Sequence, residues 1–419
     1  MKLQFNEQQK AAISALVQHT KIGKGTFIVL RGPAGTGKTA CLSEFLDEAN
    51  VRTCVTAPTN KAVKVIREVV GHKADTATIY SLLGIALMTD GEVKNIARPY
   101  GDKDLSDYDC VVIDEAGMLN KRVMEYIRST AEANPHIAWI GIGDQCQLPP
   151  INEKESEIWQ EENQVHLTKV ERTDNQILTI STHVRRLIET EQGANKLVIT
   201  EDYDEQGGVL VPKGGIFNVL EQDSAAFLSG EAKALAWRNA TVDNLNRRIR
   251  RNIHTNADQY PWLPGDRVAV LERAKDFNDQ VVAMTDDEGE VTEVNIERHP
   301  IYKDMICYVL SVKAEGDEEA SYTLWGLHED SLKAYNIKKQ ALAEEARADR
   351  RLWKNFWAYA ESFHTIRPAY STTAHRSQGS TYTRAYVNYK DILANRDQQE
   401  SLRCAYVAFS RPRHKLFLG

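Results

Sequence analysis

The chain has 419 residues, 42% of them hydrophobic, which is length enough for about three domains. Its net charge of −7 and pI of about 5.9 exclude a protein whose whole surface attracts nucleic acid and leave room only for a local groove. No run of about eighteen apolar residues occurs and Met1-Lys2-Leu3-Gln4-Phe5 holds no apolar signal core, so neither a membrane span nor a secretory leader is expected.

From residue 26 to 172, short β-branched runs alternate with helical stretches, the pattern of a parallel sheet flanked by helices. The first predicted strand, 26–31, runs into Gly32-Pro33-Ala34-Gly35-Thr36-Gly37-Lys38-Thr39 and then a helix, the context a P-loop requires. Glycines let backbone N–H groups turn inward around phosphate oxygens, and the helix amino terminus adds partial positive charge. Lys38 is placed to neutralise the outer phosphates and Thr39 to ligate Mg2+. A second strand is predicted over 51–57. After it, Asp90-Gly91 between two apolar-polar runs predicts a hairpin within 84–107.

The strand 110–114 ends in Asp114-Glu115, two carboxylates at the carboxyl edge of a doubly wound sheet, beside the phosphate loop. Asp114 suits the metal, directly or through water, and Glu115 the general base. Strands 137–143 and 165–167 complete the first set; 215–219, 232–237, 267–270, 384–387 and 415–418 form a second. Between them, 279–284, 289–296, 303–312 and 320–327 have the texture of a small β-barrel. A charged helix over 330–363 follows, with Trp353, Phe356 and Trp357 on one face, read as a packing stripe. The six cysteines stand singly without CxxC spacing and read as reduced core residues of a cytoplasmic protein.

A P-loop and an acidic strand end establish nucleotide hydrolysis and no more. Further motifs, in order, make the chain resemble superfamily 1 helicases of the 5′-to-3′ RecD-like branch along nearly its whole length. Asn6-Glu7-Gln8-Gln9-Lys10 is similar to the adenine-reading Q motif, with Gln9 the matching amide. Thr56-Ala57-Pro58-Thr59-Asn60-Lys61-Ala62 resembles motif Ia and Thr78-Ile79-Tyr80-Ser81-Leu82-Leu83 motif Ib. Asp114-Glu115-Ala116-Gly117 resembles motif II, and Gly143-Asp144-Gln145-Cys146-Gln147-Leu148-Pro149-Pro150 motif III. Thr168-Lys169-Val170-Glu171-Arg172 resembles motif IV, 372–381 with His375-Arg376-Ser377-Gln378-Gly379-Ser380 motif V, and Tyr406-Val407-Ala408-Phe409-Ser410-Arg411-Pro412-Arg413 motif VI. Tyr80, Gly117 and Ser410 depart from the usual histidine, serine and threonine.

The resemblance implies two RecA-like motor domains, 1–84 with 108–172 and 173–270 with 365–419. It also implies a hairpin insertion at 85–107 and an SH3-like barrel plus helix at 271–364. ATP with Mg2+ lies between the motor domains, against Gln9, residues 32–39, Asp114, Glu115, Gln147 and Gly379, with Arg411 as the arginine finger and Arg172 its companion. Gln147 and Gln378 link nucleotide to strand. Pro58, Thr59, Thr78, Tyr80, His375, Ser377 and Ser380 match the strand contacts, and Met88 or Tyr100 would cap the last base pair at the hairpin. For His375 a zinc ligand is the rival reading, disfavoured because no cysteine or histidine stands at ligand spacing along the chain. The implied partners are single-stranded DNA, forked or tailed duplex, single-strand-binding protein and replication or recombination proteins. An ATP-driven translocase that displaces bound proteins, or an RNA helicase of the same superfamily, stays open at this stage.

Overall fold

The computed structural model describes residues 4–90, 93–99, 104–171, 176–200, 207–316 and 320–419, with the backbone alone for 86–90 and 93–99. The first sheet has six parallel strands in the order Asp75–Thr78, Thr53–Ala57, Cys110–Ile113, Ala138–Gly143, Phe27–Arg31, Gln164–His166. Its central strands read as unbroken apolar runs because helices cover both faces. Val112 meets Ile66 and Phe45 in one core, while Val111 and Ile113 meet Val123, Ile127 and Trp159 in the other. All three are fully buried, each contributing about 1.5–3 kcal/mol relative to exposure. The strand order reverses beside Phe27–Arg31, so the carboxyl ends of this strand, Cys110–Ile113 and Ala138–Gly143 open onto one crevice.

The second sheet is also parallel, in the order Ser371–Thr373, Ala232–Ala236, Tyr382–Val387, Pro412–Leu418, Val209–Leu210. Helix Gln398–Ser410 is largely buried against it, and their shared core reaches back to Cys146 and Leu148, which follow a strand of the first sheet. The two α/β units therefore share apolar contact at the end that carries the crevice.

Three expectations change. The predicted strand 215–219 is instead the start of a helix, Phe217–Leu220. Gly214 and Gly215, at φ 84° and 89°, turn the chain, and Ile216 and Leu220, four apart, bury together. Arg267–Val270 joins no parallel sheet: it pairs antiparallel with Glu288–Arg298 and with Ile366–Pro368, in a five-stranded sheet ordered Ser321–Leu327, Ile306–Ala314, Glu288–Arg298, Arg267–Val270, Ile366–Pro368. Its own core is Val268, Val270, Val291, Leu310, Val312 and Leu324. The long helix is broken as well, into Glu329–Ala348 and Trp353–Ala360, because Asp349 is extended and its carboxylate accepts from Arg351 N at 3.0 Å. Phe356 is buried, edge-on to both Trp353 and Trp357, in keeping with a packing stripe.

Ile85–Asp90 and Val93–Pro99 form an antiparallel two-stranded ribbon with Asp90 opposite Val93. Its strands pair only with each other among the described residues. Gly91 of the expected turn, Tyr100, Arg172 and the side chain of Met88 lie outside what is described.

Candidate nucleotide site

The loop after Phe27–Arg31 can be built only with glycines. A Cβ on Gly32 would come within 2.6 Å of Leu167 O, and one on Gly37, at φ 82°, within 2.5 Å of Gln9 Nε2. Gly37 leaves helix Lys38–Ala49 without a side-chain cap, so its first backbone N–H groups face the crevice. Lys38 Nζ folds onto the loop and donates to Gly32 O at 2.7 Å and Pro33 O at 2.9 Å. Burial lowers its pKa, and the charges of Asp144, Glu115 and Asp114 pull it back up. Thr39 stands exposed on the first turn, and Thr36 is buried with its hydroxyl on Pro33 O.

Asp114 and Glu115 close the next strand. Asp114 Oδ1 accepts from Glu115 N at 2.9 Å, and Glu115 sits at φ 50°, a left-handed conformation costly for a residue with a Cβ. Burial, then Asp114, pushes the Glu115 carboxyl up, while Arg411 and Lys38 pull it down; Asp114 is raised chiefly by burial. Gly117 has a steric reason: a Cβ there would meet Trp159 Cζ2 at 2.8 Å, so the indole packed under this turn replaces the usual serine.

The third strand end adds Asp144 and Gln147. Gln147 is buried, and its Oε1 is an acceptor with no hydrogen-bond partner among the described residues. The opposite wall comes from the second sheet. Tyr406 Oη donates to Asp144 Oδ2 at 2.6 Å and accepts from Ala34 N of the phosphate loop at 3.2 Å. Arg185, on helix Gln176–Glu189, reaches Asp144 Oδ1 at 2.7 Å. Arg403 Nη1 donates to Gln145 O and Gln147 O at 2.6 and 2.8 Å. Between the walls lies a cavity of about 630 Å³ lined by Pro33, Ala34, Gln145, Arg185, Tyr406 and Arg413 among others. Arg411 is buried, bonded to Val407 O, Ser380 O and Ser410 Oγ, and close enough to Glu115 to lower its pKa.

Not every expected contact is poised for a ligand. Gln9 touches the loop, but its Oε1 accepts from Asn6 N and its Nε2 donates to Thr36 O, so its amide braces the loop rather than facing a base. Gly379 lies against Ala62 of helix Asn60–Val70. On the neighbouring edge, Ala57 pairs with Thr78, so the helices Asn60–Val70 and Ile79–Leu82 start side by side, capped by Thr59 and Thr78 Oγ1. Pro58 is buried and Tyr80 is half-buried. His375 is exposed. Ser377 is fully buried with Oγ on Ala374 O, so it holds its own turn instead of facing a strand, whereas the buried Ser380 Oγ has no partner. Asp144, Arg185, Arg403 and Tyr406 had no assigned role from sequence; Asp144 and Tyr406 stand within recognised motifs, but Arg185 and Arg403 carry no local signal.

A phosphate loop, two strand-end carboxylates and an arginine-bearing opposite wall define a P-loop ATPase with two RecA-like halves. A family model described as an AAA domain matches residues 4–209. The ATP-dependent DNA helicase dda of Enterobacteria phage T4 is 25% identical over 99% of this chain and 98% of its own. The ATP-dependent RecD2 DNA helicase of Deinococcus radiodurans is 28% identical over 35% of this chain and 19% of its own. The fold is shared with the Pif1 helicase from Bacteroides, solved with ADP-AlF3 and single-stranded DNA, at TM-score 0.54 and 15% identity over 100% of this chain and 92% of that one. The Pif1 helicase from Candida albicans aligns at TM-score 0.50 and 16% identity, over 99% and 94% of the two chains. Along its length the chain is similar to helicases of the RecD/Pif1 branch of superfamily 1.

Proposed function

We propose that this protein is an ATP-dependent DNA helicase that moves 5′ to 3′ on single-stranded DNA and separates duplex ahead of it. The observation that carries the reading is the double-walled crevice: Lys38, Glu115 and Asp144 of one sheet meet Arg411 and Tyr406 of the other. The uncapped helix start, Lys38 and Asp114 fit a nucleotide with Mg2+, which Asp114 would hold and which would neutralise phosphate charge. Lys38 must leave the carbonyls of Gly32 and Pro33 to reach outer phosphates. Glu115, once ionised, accepts the proton of the attacking water. Gln147 Oε1 gains the donor it lacks when that water is present, and Arg411, with Arg172 as companion, offsets charge on the transferring group.

Because the second wall belongs to another sheet, closing and reopening the crevice moves the two halves, and with them a strand lying over the starts of helices Asn60–Val70 and Ile79–Leu82 and over His375. Helix N-termini bind phosphate without needing net positive charge, which reconciles DNA binding with −7. We assign 1–84 with 108–171 to the first motor half, and the insertion 85–107, which carries the ribbon Ile85–Asp90 with Val93–Pro99, to splitting the duplex. The second half is 176–266 with 369–419, and 267–368 is an accessory unit inserted in it. Single-strand-binding, replication and recombination proteins are the partners this activity calls for. The test is a tailed DNA duplex incubated with ATP: the parent chain separates it and Lys38→Ala does not, whereas ATP hydrolysis without strand separation supports a translocase instead.

A further inference from the structure

His375, Glu400 and Cys404 form a cluster that the hydrolytic chemistry does not use. Glu400 and Cys404 are one turn apart on helix Gln398–Ser410 and share a face. The turn after Ser371–Thr373 lays His375 over them. His375 Nε2 is 3.4 Å from Glu400 Oε1, and Cys404 Sγ is 3.9 and 4.0 Å from Nδ1 and Nε2. The three donor atoms all lie within 4.8 Å of one another, the one such trio among the described residues.

Ligands bound to tetrahedral Zn2+ at about 2.0–2.3 Å stand roughly 3.3–3.8 Å apart, so the cluster closes on an ion with shifts of about 1 Å or less. The sulfur is nearly equidistant from both ring nitrogens, and turning the exposed ring aims either one inward. A thiol, an imidazole and a carboxylate together favour Zn2+ over Mg2+, which prefers oxygen alone. Distance along the chain hid this set: His375 and Cys404 are 29 residues apart and meet only through the fold.

We propose that His375, Glu400 and Cys404 form a three-ligand Zn2+ site with an open fourth position. Sulfur bonds the metal as its proton passes to solvent. The bound ion ties the motif V turn to the helix that carries Tyr406 and ends next to Arg411. Resting on the DNA reading above, it also withdraws the His375 ring from the strand, so Zn2+ restrains the motor.

Titration of the full chain with Co2+ tests the site, because a cobalt–thiolate bond gives a near-ultraviolet charge-transfer band, and Cys404→Ser separates this sulfur from that of Cys146, which lines the nucleotide cavity. The expected result is a band that saturates at one equivalent, is displaced by Zn2+ and is absent in Cys404→Ser. Glu400→Gln, a half-exposed change that spares the core, weakens affinity on the order of 10–100-fold. No thiolate band in the parent, or an undiminished band in Cys404→Ser, overturns the site. With Zn2+ bound, single-stranded DNA affinity falls in the parent and not in Cys404→Ser; equal affinity with and without Zn2+ overturns the restraint. A chain that binds no DNA under any condition fails the functional reading, and the cobalt band still decides the metal site.

Discussion

Tyr406 Oη donates to Asp144 Oδ2 at 2.6 Å across the nucleotide crevice, joining residues 262 apart in the chain and on opposite walls. Burial, then Asp144, holds the phenol protonated, so it remains a donor. Its second bond, from Ala34 N, puts the same oxygen on the phosphate loop. The one oxygen thereby links the loop to the helix that leads to Arg411.

Tyr406→Phe keeps the ring and removes the tie. A hydrogen bond to a charged group is worth about 1.5–3 kcal/mol. The expected outcome is a stimulation of ATPase by single-stranded DNA lowered about tenfold or more, with strand binding retained. Stimulation at the parental level would show the bond to be incidental.

Lys38→Ala removes the charge proposed to neutralise the outer phosphates and should abolish hydrolysis while leaving strand binding, measured by fluorescence anisotropy, close to that of the parent. Near-normal turnover would sink the phosphate assignment.

Glu115→Gln should bind ATP with Mg2+ and hydrolyse it very slowly, since the proposed metal carboxylate, Asp114, survives. Its pH behaviour follows from the raised carboxyl, shifted from 4.5 to about 7 by burial and Asp114. A base works only when ionised, so parental turnover should rise as pH climbs through that window. Stability runs the other way: a folded-state pKa above the unfolded one favours the protonated form, and that stabilisation is lost between about 4.5 and 7. Above pH 7 the nucleotide-free Glu115→Gln protein should therefore melt at a higher temperature than the parent. A lower Tm there contradicts the buried-carboxylate account.

Glu288 is the keystone of a buried ion network. It holds Lys233 at 2.7 Å and lies 3.7 Å from both Arg267 and Lys61, the last on the motif Ia helix of the first half. Burial alone would raise its pKa, but Lys233, Lys61 and Arg267 hold it down at about 2. Removing it strands Lys233, which is 2% exposed, so Glu288→Ala should cost about 3–5 kcal/mol in chemical denaturation. A change below about 1 kcal/mol would mean that water reaches the cluster.

The phosphate loop, the strand-end carboxylates and the ribbon were legible because each is written in consecutive residues. Local signals failed where the fold decides. At 215–219, Gly214 and Gly215 punctuate a helix that reads as strand; at Asp349 a side-chain cap interrupts an otherwise continuous helical pattern. Arg267–Val270 has strand character in any sheet, and only its antiparallel partners place it in the accessory unit. The crevice's second wall was legible at Arg411 through its motif. Arg185 and Arg403 were not, since an arginine on a helix face reads as solvated until an acceptor such as Asp144 is brought to it.

The ribbon and motor assignments meet in one measurement: the rates at which the parent chain, supplied with ATP and Mg2+, unwinds identical duplexes bearing either a 5′ or a 3′ single-stranded tail. The account expects separation of the 5′-tailed duplex, dependent on hydrolysis and lost when 86–103 is replaced by a short glycine-serine linker that leaves DNA-stimulated ATPase intact. Efficient unwinding from the 3′ tail alone would contradict the polarity, and undiminished unwinding by the shortened protein would contradict the ribbon's role.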